Sequence, residues 1–237
     1  DNIDIESAKK NNIIVMNTPG GNANATAEHT IALIFSLLRN IPSANDSTHK
    51  GLWEKKKFKG NELRGKNIGI VGFGNVGKKV AEISNALGMN VHIFSSYFDK
   101  VKQDYISFNS SSLNKILSNS DIISFHCRPN KDGSSIITKK EINLMKKNCI
   151  LINTARGNLI NESDLGHALK NDLVKGAALD VYQNEPAKDN ELFGLNNIIL
   201  TPHIAASTDE AQIIVAEMIA NQFCDFFNNK KITNSVT

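Results

Sequence analysis

The chain has 237 residues, of which 41% are hydrophobic and 22% are charged, and its formal net charge is +3 at pH 7. So small a charge argues against partners such as nucleic acid or a membrane surface. The longest apolar run, residues 31–38, is far too short to span a bilayer. The three cysteines (Cys127, Cys149 and Cys224) are widely spaced. They suggest neither a disulfide framework nor a zinc site, and they favour a reducing compartment such as the cytoplasm.

Short apolar runs alternate with helical patterns along the chain. The runs predict strands at 13–16, 67–72, 91–94, 121–126, 149–153, 177–181 and 197–200. Amphipathic or apolar helices are predicted at 25–41, 75–88, 163–172 and 208–227. Wholly apolar strands that alternate with helices indicate a parallel sheet covered on both faces. We therefore predict an α/β fold with a doubly wound parallel sheet.

The glycine-rich sequence GFGNVG runs from Gly72 to Gly77, after an apolar strand and at the start of a helix. In that context Gly72 permits a tight turn, Gly74 admits a pyrophosphate, and Gly77 lets the helix pack on the strand. Asn75 and Val76 lie in the first turn of the helix, where free N–H groups face the phosphates. The alternative is a glycine-rich turn in a domain that binds no nucleotide. The context favours a Rossmann-type site for a nicotinamide dinucleotide.

The residue expected to bind the adenosine ribose departs from the usual pattern. In NAD sites an acidic residue at the end of the second strand binds the ribose 2′-hydroxyl. Here that position is Ser95, and Asp99 lies further along the chain. Without the carboxylate, the repulsion that rejects a 2′-phosphate is missing. The residues thus leave NAD and NADP open as cofactors.

Three polar residues follow three other predicted strands. Arg156 follows the strand at 149–153, Glu185 follows the strand at 177–181, and His203 follows the strand at 197–200. Taken singly, each has an ordinary interpretation: Arg156 as a surface cation, Glu185 as a solvated loop acid and His203 as a capped loop histidine. Because ligands bind beyond the carboxyl ends of parallel strands, all three are expected on the cofactor edge of the sheet. Their convergence there favours a catalytic site.

The chemistry of these three residue types suits oxidation of an alcohol. A nicotinamide moves a hydride, and a histidine can take and return the alcohol proton. A carboxylate beside the histidine favours its protonated form and fixes its tautomer. An arginine can bind a substrate carboxylate through two parallel N–H bonds. Small residues after His203 leave room for the nicotinamide ring. The predicted substrate is therefore a small 2-hydroxy or 2-oxo acid.

Five stretches resemble the D-isomer-specific 2-hydroxyacid dehydrogenase family, most closely its phosphoglycerate dehydrogenases. They are VMNTPGGNANATAEHTIAL, WEKKKFKGNELRGKNIGIVGFGNVG, LINTARGNLINESDL, GAALDVYQNEP and LTPHIAASTDEAQ. The resemblance implies that Arg156 binds substrate, that Glu185 supports His203, and that His203 is the acid–base. It also implies cofactor contacts at Ser95, His126, Cys127, Thr154, Ala155, Asp180, Ala205 and Ala206. The chain departs from the family pattern at Cys127-Arg128, Asn158 and Ala205, besides Ser95.

The resemblance also implies a domain organisation. The family begins with a substrate-binding half of roughly one hundred residues. This chain is expected to be a fragment that enters at the end of that half, so basic residues that bind a substrate phosphate are expected outside it. We expect residues 1–13 to be a remnant of the substrate-binding domain. Residues 14–204 are expected to form the dinucleotide-binding domain, and residues 205–237 to be a helix and tail that return to the first domain.

The segment around Trp53 and Lys55–Lys57 has two interpretations. It is either a solvated charged loop with one packed tryptophan or an arm that contacts a second subunit. The resemblance favours the arm, because tryptophan is common as an anchor at interfaces. A homodimer or homotetramer is therefore expected.

Three functions follow from these observations. The first is hydride transfer between a nicotinamide cofactor and a D-2-hydroxy acid, which the resemblance narrows to 3-phosphoglycerate in L-serine biosynthesis. The second is a hydroxypyruvate or glyoxylate reductase of the same family, with the same three residues. The third, of another class, is a dinucleotide-sensing protein that resembles the family's corepressors, because a fold and site can survive a change of role.

Overall fold

Continuous apolar runs in the sequence form the central strands of one parallel sheet. The computed structural model describes residues 3–237. The strands within these residues are β1 (Asn67–Val71), β2 (Asn90–Phe94), β3 (Phe108–Ser110), β4 (Ile122–Phe125), β5 (Ile150–Asn153), β6 (Gly176–Leu179) and β7 (Ile198–Leu200). Their order in the sheet is β3-β2-β1-β4-β5-β6-β7, with every neighbouring pair parallel. The strand order reverses between β1 and β4, which is where ligands bind in folds of this kind.

The helices alternate with the strands along the chain. They are α1 (Ile5–Lys10), α2 (Ala23–Leu38), α3 (Ile41–His49), α4 (Asn75–Ala86), α5 (Phe98–Val101), α6 (Leu113–Asn119), α7 (Lys139–Ile142), α8 (Glu162–Lys170) and α9 (Asp209–Asn229). Short 3₁₀ helices cover Lys102–Asp104 and Gly157–Leu159. No helix within residues 3–237 has both the length and the apolar character needed to cross a membrane.

Both faces of the sheet are covered, which explains why the central strands are mostly apolar. Ile122 belongs to one buried cluster and Ile123 to a second, and the same alternation separates Ile150 from Leu151. Alternate residues of a strand point to opposite faces, so each face has its own core. Residues of α2 and α4 contribute to the first cluster, and residues of α6 and α8 contribute to the second.

The predicted α/β fold with a doubly wound parallel sheet is confirmed. Two details differ. The strand predicted at 13–16 is wrong, because only Met16 is paired there, in an isolated antiparallel bridge with Ser235. The edge strand β3 was not predicted, because its sequence, FNS, is short and mostly polar.

The chain divides into two compact units. One comprises residues 26–205, and the other comprises residues 1–25 with 206–237. The predicted boundary after residue 204 lies one residue from this division, but the predicted boundary after residue 13 lies twelve residues earlier. Hydrogen bonds group residues 14–25 with the end of the chain, among them Gln222 Nε2 to Asn17 O at 3.0 Å and Val236 N to Val15 O at 2.9 Å.

Candidate active site

The glycine loop after β1 is shaped by close backbone contacts. Gly72 has φ +102°, and a Cβ atom there would overlap the carbonyl group of His126. A Cβ atom at Gly77 would overlap the carbonyl oxygen of Gly72, so α4 packs directly on the turn. Larger residues at either position would displace the backbone, and both glycines are therefore required by the fold of the loop.

The start of α4 is open in the way that a dinucleotide requires. Gly74 is the N-terminal cap residue of this helix and, as a glycine, has no side chain that could cap the first N–H groups. A Cβ atom at Gly74 would meet empty space. Free N–H groups at a helix start, next to open space above a glycine, form a site for a phosphate anion. The loop from Gly72 to Gly77 therefore fits the pyrophosphate of a nicotinamide dinucleotide.

At the end of β2 the side chain of Ser95 caps the next turn of the chain. Its Oγ accepts hydrogen bonds from the amides of Tyr97 at 3.3 Å and Phe98 at 3.5 Å. Asp99 accepts a hydrogen bond from Ser110 at the end of β3. Because β3 lies on the side of β2 away from β1, this contact holds the Asp99 carboxylate toward the outer edge of the sheet.

The loop after β4 presents two groups without charge. Burial lowers the pKa of His126 to about 3, and its Nε2 lies 2.8 Å from Ser124 Oγ. Burial raises the pKa of the Cys127 thiol to about 11. At neutral pH both side chains are therefore neutral beside the glycine loop, as suits contact with an uncharged part of a cofactor.

The loop that carries Arg156 is fixed by a residue that the sequence did not reveal. Asn153, the last residue of β5, is buried; its side chain donates to Arg156 O at 2.8 Å and accepts from Ala155 N at 3.1 Å. Thr154 is also buried, and its hydroxyl lies 2.8 Å from Thr30 Oγ1. The Thr154 side chain thus faces helix α2, which leaves the backbone of 154–155 for the predicted cofactor contact.

Glycine at position 157 brings the Arg156 loop against the next loop of the site. A Cβ atom at Gly157 would overlap the carbonyl group of Tyr182, so the two backbones touch. Tyr182 and Glu185 belong to the loop after β6, and the Tyr182 amide donates to Glu185 Oε1 at 2.9 Å. Arg156 itself is exposed to solvent. The contact at Gly157 therefore places a cation next to the loop that carries the carboxylate.

Glu185 and His203 form a direct pair. Glu185 Oε2 lies 2.6 Å from His203 Nδ1, and the side chains are 35% and 51% exposed. Burial raises the pKa of Glu185, but hydrogen bonds from His203 and the Tyr182 amide outweigh it, and the net pKa is lowered. An ionised carboxylate only accepts hydrogen bonds, so the proton of the pair lies on Nδ1. The other ring nitrogen, Nε2, is then the atom that can exchange a proton with a substrate.

Asp180 holds the backbone turn at His203. Its carboxylate is fully buried and accepts hydrogen bonds from the amides of Ile204 at 2.9 Å and Ala205 at 2.8 Å. Burial raises its pKa, but hydrogen bonds from His29, Thr201 and these amides outweigh it, so the pKa is lowered. The predicted contact of Asp180 with the cofactor stays a prediction, whereas its role in this turn is visible in the hydrogen bonds.

Glu162 supports the same region from helix α8 and was missed by the sequence reasoning. It is 8% exposed, and it accepts hydrogen bonds from Gln183 N at 2.6 Å and Asn190 Nδ2 at 2.7 Å. These bonds fix both ends of the loop that carries Glu185. Of the predicted small residues, Ala205 is buried and Ala206 is partly buried.

A sequence model of the D-isomer-specific 2-hydroxyacid dehydrogenase NAD-binding domain matches residues 31–205. The chain belongs to this family. Its family membership accounts for the strand order, the glycine loop and the polar residues at the strand ends together. The resemblance predicted from the sequence is thereby confirmed, as is the prediction that this domain binds NAD, with NADP as an alternative.

The relatives of this chain are named as several different enzymes. The chain is 41% identical over 236 residues to a D-3-phosphoglycerate dehydrogenase of Bacillus subtilis, covering 100% of this chain and 45% of that protein. It is 39% identical over 233 residues to a glyoxylate reductase of Thermococcus litoralis, covering 95% of this chain and 70% of that protein. An acyclic imino acid reductase, solved with NADPH and D-arginine, is 36% identical with a TM-score of 0.89, covering 99% of this chain and 75% of that chain. The chain thus spans about half the length of the phosphoglycerate dehydrogenase that it matches.

Proposed function

We propose that the protein is an NAD(P)-dependent oxidoreductase that acts on a D-2-hydroxy acid. The observation that carries the proposal is the pair formed by Glu185 and His203, 2.6 Å apart, beyond the carboxyl ends of β6 and β7. That edge of the sheet also carries the glycine loop after β1 and Arg156 after β5. A carboxylate–histidine pair beside a dinucleotide loop is the arrangement that alcohol oxidation requires.

The division of labour among the three residues follows from their contacts. Residues Gly72–Gly77 would hold a nicotinamide dinucleotide, which would supply the centre that accepts or donates the hydride. His203 Nε2 takes the hydroxyl proton in the oxidation and returns it in the reduction, while Nδ1 stays bound to Glu185. The Arg156 guanidinium binds the substrate carboxylate and polarises the neighbouring carbonyl. Asp180, Glu162 and Asn153 hold the three loops in place.

For the substrate we propose 3-phosphoglycerate, oxidised to 3-phosphohydroxypyruvate on the route to L-serine. Similarity to the Bacillus subtilis phosphoglycerate dehydrogenase supports it. A glyoxylate or hydroxypyruvate reductase is the second candidate, supported by similarity to the Thermococcus litoralis enzyme. Both would use Arg156, Glu185 and His203 in the same roles. They differ in whether the site binds a phosphate.

A comparison of substrates tests this proposal in the full-length gene product. We expect kcat/KM for 3-phosphohydroxypyruvate to exceed that for hydroxypyruvate and glyoxylate by about tenfold to a hundredfold, since hydrogen bonds to a charged group are worth about 1.5–3 kcal/mol. A preference for glyoxylate would select the reductase. NADH binding without turnover of any 2-oxo acid would select the dinucleotide-sensing protein instead.

We also propose that the protein is a homo-oligomer in which the Trp53 segment contacts the neighbouring subunit. The Trp53 side chain is 88% exposed, although the base of the segment is anchored by Ser47 Oγ to Glu54 Oε2 at 2.8 Å. An exposed tryptophan on an anchored base suits an interface better than a solvated loop. Sedimentation velocity of the native protein and of Trp53→Ala tests this, and an unchanged assembly in the variant would contradict it. The cytoplasmic location stays a prediction from the cysteine pattern.

A further inference from the structure

A second histidine, His29 on helix α2, reaches the turn that carries His203. Its side chain is only 20% exposed. Its Nε2 lies 3.2 Å from Thr201 Oγ1 and 3.6 Å from Asp180 Oδ1. The ring therefore contacts the two residues that fix the start of the His203 turn.

The hydrogen-bond donors in this cluster determine where the His29 proton lies. Asp180 has a lowered pKa and is a carboxylate at neutral pH, so it only accepts hydrogen bonds. The Thr201 hydroxyl has one hydrogen, and it donates that hydrogen to Asp180 Oδ1 at 2.5 Å. Thr201 Oγ1 must then accept the remaining bond from His29. His29 Nε2 therefore carries a proton and donates it toward Thr201 and Asp180.

The turn that these residues hold is one that the chain would not adopt unaided. His203 has φ +54°, in the left-handed region, which is unfavourable for residues other than glycine. Its amide donates to Thr201 O at 3.0 Å, and Tyr182 Oη donates to the same oxygen at 2.9 Å. Asp180 accepts from the two amides that follow. The left-handed turn thus depends on Thr201 and Asp180, and the His29 ring contacts both.

We propose that His29 is a positioning residue for the acid–base histidine. By donating Nε2–H to Thr201 beside the Asp180 carboxylate, it fixes the turn that keeps His203 against Glu185. The proposal deepens the function proposed above and rests on the acid–base role of His203. His29 touches no reacting atom, so it acts through the geometry of the turn.

Two variants of the full-length gene product separate the donor from the ring. His29→Gln keeps an N–H donor within reach of Thr201, whereas His29→Phe keeps the ring volume and removes the donor. For His29→Phe we expect kcat to fall about tenfold to a hundredfold, because small misplacements of catalytic groups have effects of this size. The KM for the dinucleotide stays within about threefold of the native value, since Gly72–Gly77 is untouched. His29→Gln retains most of the native kcat.

Two further measurements distinguish positioning from a general loss of stability. In His29→Phe the acidic limb of the pH profile of kcat/KM in the oxidation moves to lower pH, because a displaced His203 loses the charge of Glu185 while Asp180 stays buried beside the turn. Hydrogen exchange at the amides of Ile204 and Ala205 becomes at least about tenfold faster, because Asp180 holds them less well. Exchange at the central strand residue Ile152 stays unchanged, which shows that the fold is intact.

The outcomes separate this inference from the proposed function. If His29→Phe had the kcat, the pH profile and the amide exchange rates of the native enzyme, the positioning role of His29 would be wrong. The proposed function would be unaffected by that result. An equal loss in His29→Gln and His29→Phe would also overturn it, because the donor would then be irrelevant. Full activity of His203→Ala would instead overturn the proposed function, whereas faster exchange at Ile204 and Ala205 would still establish the contact of His29 with the turn.

Discussion

Replacing Glu185 with glutamine removes the negative charge next to His203 while keeping a side chain of the same shape. The carboxylate lies 2.6 Å from His203 Nδ1, and it is ionised at neutral pH because its pKa is lowered. A negative charge there favours the imidazolium. The acidic limb of kcat/KM in the oxidation, where neutral His203 must act as the base, should therefore move to lower pH in Glu185→Gln.

The expected size of the shift follows from the geometry. Two unit charges 2.6 Å apart interact by about 1.6 kcal/mol in a medium with the dielectric constant of water. The water value is the appropriate one here, because the two side chains are 35% and 51% exposed. An energy of about 1.4 kcal/mol corresponds to one pH unit. We therefore expect the limb to move by roughly one unit.

The assay is the pH dependence of kcat/KM in both directions, with native enzyme, Glu185→Gln and Glu191→Gln. In the reduction the imidazolium must donate the proton, so kcat/KM falls as the pH rises and His203 loses that proton. This basic limb should also move to lower pH in Glu185→Gln. Glu191 is an exposed carboxylate beyond the same loop and serves as the matched control. If Glu185→Gln and the control kept the native profile, Glu185 would not be the partner of the acid–base residue.

Two further predictions concern the cofactor and the support of the site. In Ser95→Asp the ratio of kcat/KM for NAD to that for NADP should rise tenfold to a hundredfold, since one charge repulsion of about 1–3 kcal/mol acts on the 2′-phosphate. In Glu162→Ala the free energy of unfolding in urea should fall by about 2–4 kcal/mol, because the Gln183 amide and Asn190 Nδ2 both lose a buried, charged acceptor. The exposed Glu82→Ala should change it by less than about 0.5 kcal/mol.

Each of these has an outcome that contradicts it. Native enzyme that already rejects NADP by several orders of magnitude would mean that another carboxylate, such as Asp99, reads the ribose. Glu162→Ala with native stability would mean that its bonds to Gln183 and Asn190 do not hold the loop.

The sequence predicted most of the sheet because buried parallel strands form continuous, mostly apolar runs. Strands β1, β4, β5 and β6 have this property, with only single polar residues such as Ser124 and Asn153 within them, and each was found within two residues of its bounds. The segment predicted as a strand at 13–16 is also apolar, but the one bridge described for it joins Met16 to Ser235, more than two hundred residues away. Apolar character alone does not tell a strand from a loop that packs on a helix.

The candidate site was predictable where a chemical group ends a strand, as at Arg156, Glu185 and His203. The residues that hold these groups were not. No local sequence pattern marks Glu162, Asn153 or His29. Glu162 and His29 form hydrogen bonds with residues that are distant in sequence, and Asn153 binds backbone atoms of the loop that follows it. Asp180 was assigned to the cofactor by resemblance, yet its two oxygens also bind the amides after His203.

The most direct test of the account is the turnover of His203→Ala in the full-length gene product. The reduction of 3-phosphohydroxypyruvate and the Kd for NADH should be measured together, with His49→Ala, an exposed histidine at the end of α3, as the control. We predict that kcat falls by about two to four orders of magnitude in His203→Ala, with the Kd for NADH unchanged and the control fully active. Near-native turnover of His203→Ala would contradict the assignment of His203 as the acid–base residue.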